Sequence, residues 1–352
     1  MLLAFMVSSA CQAEDSDMAR LNAFASQRGF DAPAFMARLL SGDLTAEGLS
    51  PGSILKSIMS GVLHSLSGLM KDLTLPVMAC VLLRAMLGRD GADVMLNLMC
   101  ALCCAVTLTR VWMAAQGRLE ALVDGLNGAT ELLTPVLASV SALSGGAFWS
   151  TAAAPLSAMG ASLLQHVLKE WGMKLCGAAA ATAICCAIAG RYALNRLFDW
   201  WKVLIRWMLL ASVFAYGGLV SALGLMSAAK DGAAMKAAKS AIESALPIIG
   251  GGISDSTGAL MTSAALTRSV VGITGVALII RLCAGPLIRL GSDALALKAI
   301  SAVTEPLAGG SACELIGHFG DILEMMFAIG ACCGAMAALL PGCCAVIAAS
   351  LS

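Results

Sequence analysis

Long uncharged segments are the feature that most constrains how this chain can fold. Hydrophobic residues make up 59% of its 352 residues and charged residues only 12%, and the mean hydropathy is +0.87. A soluble globular domain carries about 25% charged residues, because its surface must face water. The chain has too little polar surface for a soluble fold. We therefore predict an all-α fold, a polytopic transmembrane helical bundle in the lipid bilayer of a cell membrane.

The N-terminal part is the most polar. Residues 1–13 have the apolar stretch and small residues of the second half of a secretory signal peptide, although no Lys or Arg precedes them. An ordinary N-terminus is the alternative. Residues 14–72 are predicted to be an extramembrane segment with an amphipathic helix over 54–69. Residues 73–352 are predicted to form the multi-span membrane domain.

Charge spacing within the membrane domain predicts the individual spans. The predicted spans are 73–88, 94–115, 146–168, 175–190, 207–229, 269–288 and 325–350. The uncharged stretch 132–168 is too long for one span and too short for two. It contains Pro135, Gly145 and Gly146, so we expect a broken or re-entrant helix there.

An internal repeat relates residues 92–172 to residues 204–284. Pro135 and Pro247 are 112 residues apart, and at the same offset Glu131 matches Glu243 and Gly146 matches Gly258. Each copy holds a span, an amphipathic helix (118–133 or 230–246), a Pro/Gly-interrupted segment and a second span. With 175–190 as a third span in each period, the second copy would be inverted. Inverted repeats with interrupted helices are typical of transport or channel cores, although duplication for packing alone is the alternative.

The most unusual local sequence is the stretch 247–255, which predicts a pore or a hinge. Consecutive glycines disfavour a continuous helix and expose backbone groups, which membranes tolerate only inside protein or beside water. Intramembrane charges are costly and usually face a cavity or each other. A polar turn at the membrane surface is the alternative. The candidate residues here are Pro247, Gly250, Gly251, Gly252 and Asp255, with the intramembrane charges Arg268 and Arg281.

Catalytic and metal-binding patterns are weak. The three histidines are isolated, and there is no Walker-type phosphate loop, so we expect no enzyme activity and no cofactor. The net charge of zero leaves no basic surface for nucleic acid. The 14 cysteines include adjacent pairs inside apolar runs. Neighbouring helical cysteines point about 100° apart and chelate poorly, so we expect small packing residues and no metal site.

Two expectations about membrane orientation conflict. The basic segment 191–206 is predicted to be cytoplasmic by the positive-inside rule. A cleaved signal would place residues 14–72 outside. Four predicted spans separate the two segments, and an even number would leave both on the same side. One of the predicted spans, or the signal, must therefore be wrong.

The stretches 246–255, 266–275 and 298–306 resemble the stage III sporulation protein AE family, polytopic membrane proteins of endospore-forming Firmicutes. This resemblance implies a role in a channel complex that joins the mother cell to the forespore after engulfment. It also implies a place in the mother-cell (outer forespore) membrane, with other stage III sporulation membrane proteins and a cytoplasmic ATPase as partners. The family has no assigned catalytic residues, so none carries over.

Three functions therefore remain open. The first is a membrane subunit of that sporulation channel. The second is a self-sufficient secondary transporter for a small solute, which the repeat and the interrupted helices favour. The third is a structural membrane anchor for ring-forming partners, which would have no use for paired broken helices at membrane depth.

Overall fold

Five long helices make up the part of the chain that the structure describes. The computed structural model describes residues 93–143, 148–189, 192–245, 250–308 and 311–351, together with positions 19, 20, 22, 23, 26 and 68. Every described residue is helical. The helices are α1 (Asp93–Leu143), α2 (Ala154–Ala189), α3 (Tyr192–Ala245), α4 (Gly250–Ala308) and α5 (Ser311–Leu351), with a π-helix at Trp149–Ala153 just before α2. The all-α prediction is confirmed for these residues.

All five helices have stretches that are long and apolar enough to cross a membrane. These stretches are Met99–Ala142, Trp149–Ile188, Asn195–Ser227, Val270–Thr304 and Ala312–Cys343. The predicted polytopic membrane architecture is therefore confirmed. The predicted span 73–88 and the predicted segments 1–13 and 14–72 lie outside the continuously described residues.

Successive helices run in opposite directions. Lys169 of α2 pairs with Asp124 of α1, while Gly177, further along α2, lies beside the earlier Trp112. The same reversal relates α2 to α3 and α4 to α5. The helices α3 and α5 run in the same direction, since Phe198 packs on His318 and Lys202 reaches Asp321.

The core is built around α5, which contacts all four other helices. Buried apolar residues recur at alternating intervals of four and three along both α1 and α5, a heptad pattern that keeps one stripe facing the core. On α1 these are Ala115, Leu119, Leu122, Leu126, Ala129, Leu133, Val136 and Val140; on α5 they are Leu315, Phe319, Ile322, Met326, Ile329, Cys333, Met336 and Leu340. Gln165 of α2 donates a hydrogen bond to the Cys333 carbonyl at 3.2 Å, which satisfies the amide nitrogen of a buried side chain.

Several sequence-based boundaries are wrong. The predicted spans 146–168 and 175–190 belong to one membrane-crossing stretch, Trp149–Ile188. The predicted helix 118–133 continues α1 without a break after 94–115, and 230–245 likewise continues α3. Each period of the repeat therefore holds two long helices. Because helices alternate in direction, α1 and α3 run the same way, and the expected inversion of the second repeat copy is not what the structure shows.

Close approach of α4 and α5 generates the first testable prediction. A Cβ atom added at Gly275 would lie 2.9 Å from the Cβ of Pro341 and 3.4 Å from the Leu133 Cδ2 atom. The proline ring cannot rotate away, so Gly275→Ala must separate the two helices. We expect the free energy of unfolding to fall by about 1–3 kcal/mol, measured as a lower thermal midpoint in detergent.

Gly218, an exposed residue within α3, is the control. A Cβ atom there meets nothing within 4 Å. Gly218→Ala should therefore leave the midpoint unchanged or raise it, since alanine favours a helix by about 1 kcal/mol over glycine. Equal behaviour of the two variants would contradict tight packing at Gly275.

Candidate functional site

Five charged side chains form a continuous ion-pair network between α3, α4 and α5. Lys202 of α3 lies 2.7 Å from Asp199 and 3.3 Å from Asp321 of α5. Lys298 of α4 lies 3.2 Å from the other oxygen of Asp321 and also pairs with Glu324. Asp321 is therefore shared by two lysines, and each lysine has a second carboxylate of its own.

Aromatic packing holds one side of this network in place. The Lys202 ammonium lies 4.9 Å from the centre of the Phe198 ring, within cation–π range. Phe198 is fully buried and packs at 4.2 Å on the ring of His318. This stack positions α3 against α5 at the level of Asp321, so the lysine approaches the shared carboxylate from a fixed side.

An open pocket of about 470 Å³ lies beside the network. The buried Nε2 atom of His318 has no hydrogen-bond partner in the structure. Ser301 donates a hydrogen bond to the Cys313 carbonyl at 3.1 Å, which ties α4 to the start of α5. The lining is thus polar on all three helices: Asn195 from α3, Lys298 and Ser301 from α4, and Glu314, Gly317, His318 and Asp321 from α5.

A separate ion pair joins α1 to α4 nearer the middle of the bundle. Arg118 pairs with Asp293, whose side chain is only 9% exposed, whereas the Arg118 side chain is 33% exposed. A carboxylate buried among apolar side chains is tolerable only when a counter-charge is bound to it. This pair therefore fixes how α1 and α4 are aligned along the bundle.

Two of the candidate residues chosen from sequence, Pro135 and Arg281, have described side chains, and neither is part of either charged site. Pro135 lies inside the unbroken helix α1 and is exposed. Arg281 is also exposed, and it precedes Lys298 by about 25 Å of helix. Gly250, Gly251 and Gly252 are the first residues of α4, which continues through Asp255 and Arg268. The remaining three candidates, Gly145, Gly146 and Pro247, lie outside the described residues, and the pore or hinge role of all these positions stays a prediction.

The network could have been found from one sequence signal. Charged residues within apolar helices mark functional positions in membrane proteins, and Asp321 and Glu324 directly precede the predicted span 325–350. What the sequence could not show is that Lys202 and Lys298, from two other helices, meet them. Lys298 and Ser301 also fall in the family-like stretch 298–306.

Buried cysteines behave as small packing residues. Cys104, Cys176, Cys283 and Cys333 are buried free thiols within the helix contacts. Over the described helices, no group of three or more His, Cys, Asp or Glu side chains lies close enough to hold a metal ion.

Comparisons with known proteins agree on one family. The family model described as stage III sporulation protein AE matches residues 34–349. A curated relative, stage III sporulation protein AE of Bacillus subtilis (strain 168), is 29% identical over 182 residues. That match covers 51% of this chain and 45% of the relative's own length. No solved structure matches the chain.

Removal of the Arg118 charge tests the buried pair. In Arg118→Met, Asp293 stays buried without its counter-charge, and we expect the free energy of unfolding to fall by about 3 kcal/mol. The double variant Arg118→Met/Asp293→Leu removes both charges and should recover most of this loss. Thermal unfolding in detergent measures both variants.

The surface pair Glu170–Lys174 is the control for this comparison. Its two side chains are 45% and 71% exposed, and exposed pairs of this kind contribute at most about 1 kcal/mol. Lys174→Met should therefore change the thermal midpoint little. A double variant at positions 118 and 293 that is no more stable than Arg118→Met would contradict the proposed role of the pair.

Proposed function

Because the chain belongs to the stage III sporulation protein AE family, we propose that it is the integral membrane subunit of a sporulation channel that connects the mother cell and the forespore. It acts in the mother-cell (outer forespore) membrane and is needed for forespore development after engulfment. It works with other stage III sporulation membrane proteins and a cytoplasmic ATPase. The family match and five membrane-crossing helices support the coarser statement, that the chain is a sporulation membrane protein.

The ion-pair network on α3, α4 and α5 is the observation that best supports a gating role for the chain rather than the role of a structural anchor. If α3 moves away from α5, Lys202 loses Asp321 but keeps Asp199. Asp321 in turn keeps Lys298. Neither arrangement leaves a charge unpaired, so the ion pairs themselves add little to the cost of separating α3 from α5, as a gating element requires. The main cost of that movement is the packing of Phe198 on His318.

The ion pair between Arg118 and Asp293 differs from this network, because moving its helices apart would leave a buried carboxylate without a counter-charge. Asp293 is nearly buried, and Arg118 is the partner that the structure gives it. Moving α1 along α4 would strand a buried charge at a cost of about 3 kcal/mol or more. We therefore assign α1, α4 and α5 to a rigid frame and α3 to the moving part.

A self-sufficient secondary transporter is the second candidate, favoured by the polar pocket of about 470 Å³ among three membrane-crossing helices. Small-molecule sites are concave and carry a few convergent polar groups, as this pocket does. Solute uptake after expression in a non-sporulating host separates the two candidates. A transporter moves solute alone, whereas a subunit of a larger channel does not.

Deletion of the gene in its own spore-forming host tests the proposed function. We expect development to stop after engulfment, with a shrinking forespore visible by microscopy, because the channel would lack its membrane subunit. Normal, heat-resistant spores in the deletion strain would contradict the proposal and leave the transporter as the leading function.

Complementation of that strain tests the network. Asp321→Asn removes the charge that α3 shares with α4. Loss of a partly exposed ion pair worth about 1 kcal/mol shifts a two-state equilibrium about fivefold. We expect fewer heat-resistant spores, with normal amounts of protein in the membrane.

The control for complementation is Glu120→Gln, which removes an exposed carboxylate of α1 outside the network. It leaves every ion pair of the network intact in both arrangements of α3. This strain should sporulate like the wild type. Equal defects in the two strains would contradict a gating role for the shared carboxylate.

The glycines at the start of α4 form a second element of the proposal. We propose that the triplet Gly250–Gly252 acts as a pore or hinge, together with Pro247 and Asp255. Replacing the three glycines by leucine should abolish sporulation while membrane insertion remains intact, because leucine removes the backbone freedom that only glycine provides. Membrane fractionation checks the insertion, and normal sporulation of this variant would contradict the assignment.

A further inference from the structure

The helices are much longer than a membrane is thick. The five membrane-crossing stretches contain 32 to 44 residues, which corresponds to about 48–66 Å of helix. The hydrocarbon core of a bilayer is about 30 Å thick. The bilayer can therefore cover only part of each stretch. The residues exposed on the surface of the bundle should indicate where the hydrocarbon core of the bilayer ends.

Charge is distributed unevenly along three of the helices. On α3, Arg196, Asp199, Lys202 and Arg206 are followed by the uncharged stretch 207–229, which is about 34 Å long. On α5, charges end at Glu324. The antiparallel helix α4 shows the reverse order, with the uncharged stretch 269–280 before Arg281. The uncharged parts of all three helices therefore lie at the same end of the bundle. The exposed charges Arg281 of α4 and Glu131 of α1 also lie toward that end.

Exposed tryptophans and basic residues mark the border between the two ends. Gly172 of α2 packs against Met208 of α3, which brings the neighbouring residues Trp171 and Trp207 to one level. Trp171 and Trp207 are 62% and 69% exposed. The exposed basic residues at this level include Lys174, which pairs with Glu170 of its own helix, and Arg206. We call Trp171, Trp207, Lys174 and Arg206 the interface band.

We infer that the bilayer surface crosses the bundle at the interface band, and that Lys174 and Arg206 bind the headgroups of anionic phospholipids there. Tryptophan concentrates at the boundary between hydrocarbon and water, because its ring is apolar and its N–H is polar. Each basic side chain near an anionic membrane surface contributes about 1 kcal/mol. The ion-pair network and its pocket then lie on the aqueous side of the band.

The opposite end of the bundle is a poorer place for the bilayer. There, 99–109 of α1 and 175–189 of α2 are also uncharged, but α3, α4 and α5 place seven charged residues at that end: Arg196, Asp199, Lys202, Lys298, Glu314, Asp321 and Glu324. A charged residue in the middle of the membrane costs about 2.5–3.5 kcal/mol on insertion scales. Among the described side chains, the exposed charges beyond the band at the proposed end are Asp124, Glu131 and Arg281. The bilayer therefore meets fewer charged residues at the proposed end than at the opposite one.

Depth-dependent fluorescence quenching tests the position of the bilayer surface. The full chain is prepared with Trp207 as its only tryptophan, by changing the other five to Phe, and is reconstituted into phosphatidylcholine–phosphatidylglycerol vesicles. Bromine atoms are placed at different depths on the lipid chains. We expect the strongest quenching by bromines nearest the headgroups. Strongest quenching by bromines at the chain ends, or none at any depth, would overturn the inference.

Two further single-tryptophan proteins keep this test decisive. A protein that retains only Trp171 should give the same depth as Trp207, since both belong to the band, and different depths would overturn the inference. A protein that retains only Trp149, which is 1% exposed, should be quenched weakly at every depth. Unchanged helical circular dichroism confirms that each variant is folded.

Thermal stability with added lipid tests headgroup binding. Phosphatidylglycerol added to the detergent-solubilised chain should raise the thermal midpoint. Lys174→Gln/Arg206→Gln should lose about half or more of that rise. Arg110→Gln, which changes an exposed arginine of α1 outside the band, should keep it. A full rise in the double variant would overturn the headgroup part of the inference.

Discussion

The position of α5 inside the bundle is the constraint on which the rest of the structure depends. Beyond Glu324, α5 carries no charged residue, and the helix contacts each of the other four helices, so most of its apolar surface is covered by protein. The other helices approach α5 closely because several contacts are made at glycine residues, as where Gly275 of α4 packs against Pro341. Between lipid-exposed helices there is little hydrophobic driving force, so this tight van der Waals packing supplies the stability.

Charges distinguish two kinds of helix contact in the bundle. Separating the Arg118–Asp293 pair would leave a nearly buried carboxylate alone. In the network around Asp321 each lysine also holds another carboxylate, so the proposed movement of α3 would leave every charge paired. The same residue types thus fix one helix contact and, under the proposed gating, allow movement at another. The difference is the number of partners and the degree of burial.

Sequence reasoning succeeded where composition decides the answer and failed where packing does. The all-α membrane class followed from the low charge content. The family followed from three short stretches and was confirmed over residues 34–349.

The continuity of α2 could not be predicted, because Lys169, Glu170 and Lys174 resemble a loop between two spans. In the structure Lys169 pairs with Asp124, and Lys174 pairs with Glu170, so these charges sit on the helix surface without interrupting it. The heptad stripes of α1 and α5 were hidden for another reason, since exposed apolar residues such as Val106, Met113 and Leu339 interrupt the contrast between their faces.

The continuity of α2 also removes the conflict about orientation. With 146–168 and 175–190 joined, the predicted span 73–88 and the helices α1 and α2 make three crossings before the basic segment 191–206. An odd number places residues 14–72 and the basic segment on opposite sides, as a signal peptide and the positive-inside rule together require. The structure shows one span fewer than predicted between residues 94 and 190, while the signal and the span 73–88 lie outside the described residues and stay predictions. The basic segment leads into the charged end of α3, so on these predictions the network and its pocket would face the cytoplasm, the side on which the proposed ATPase partner would act.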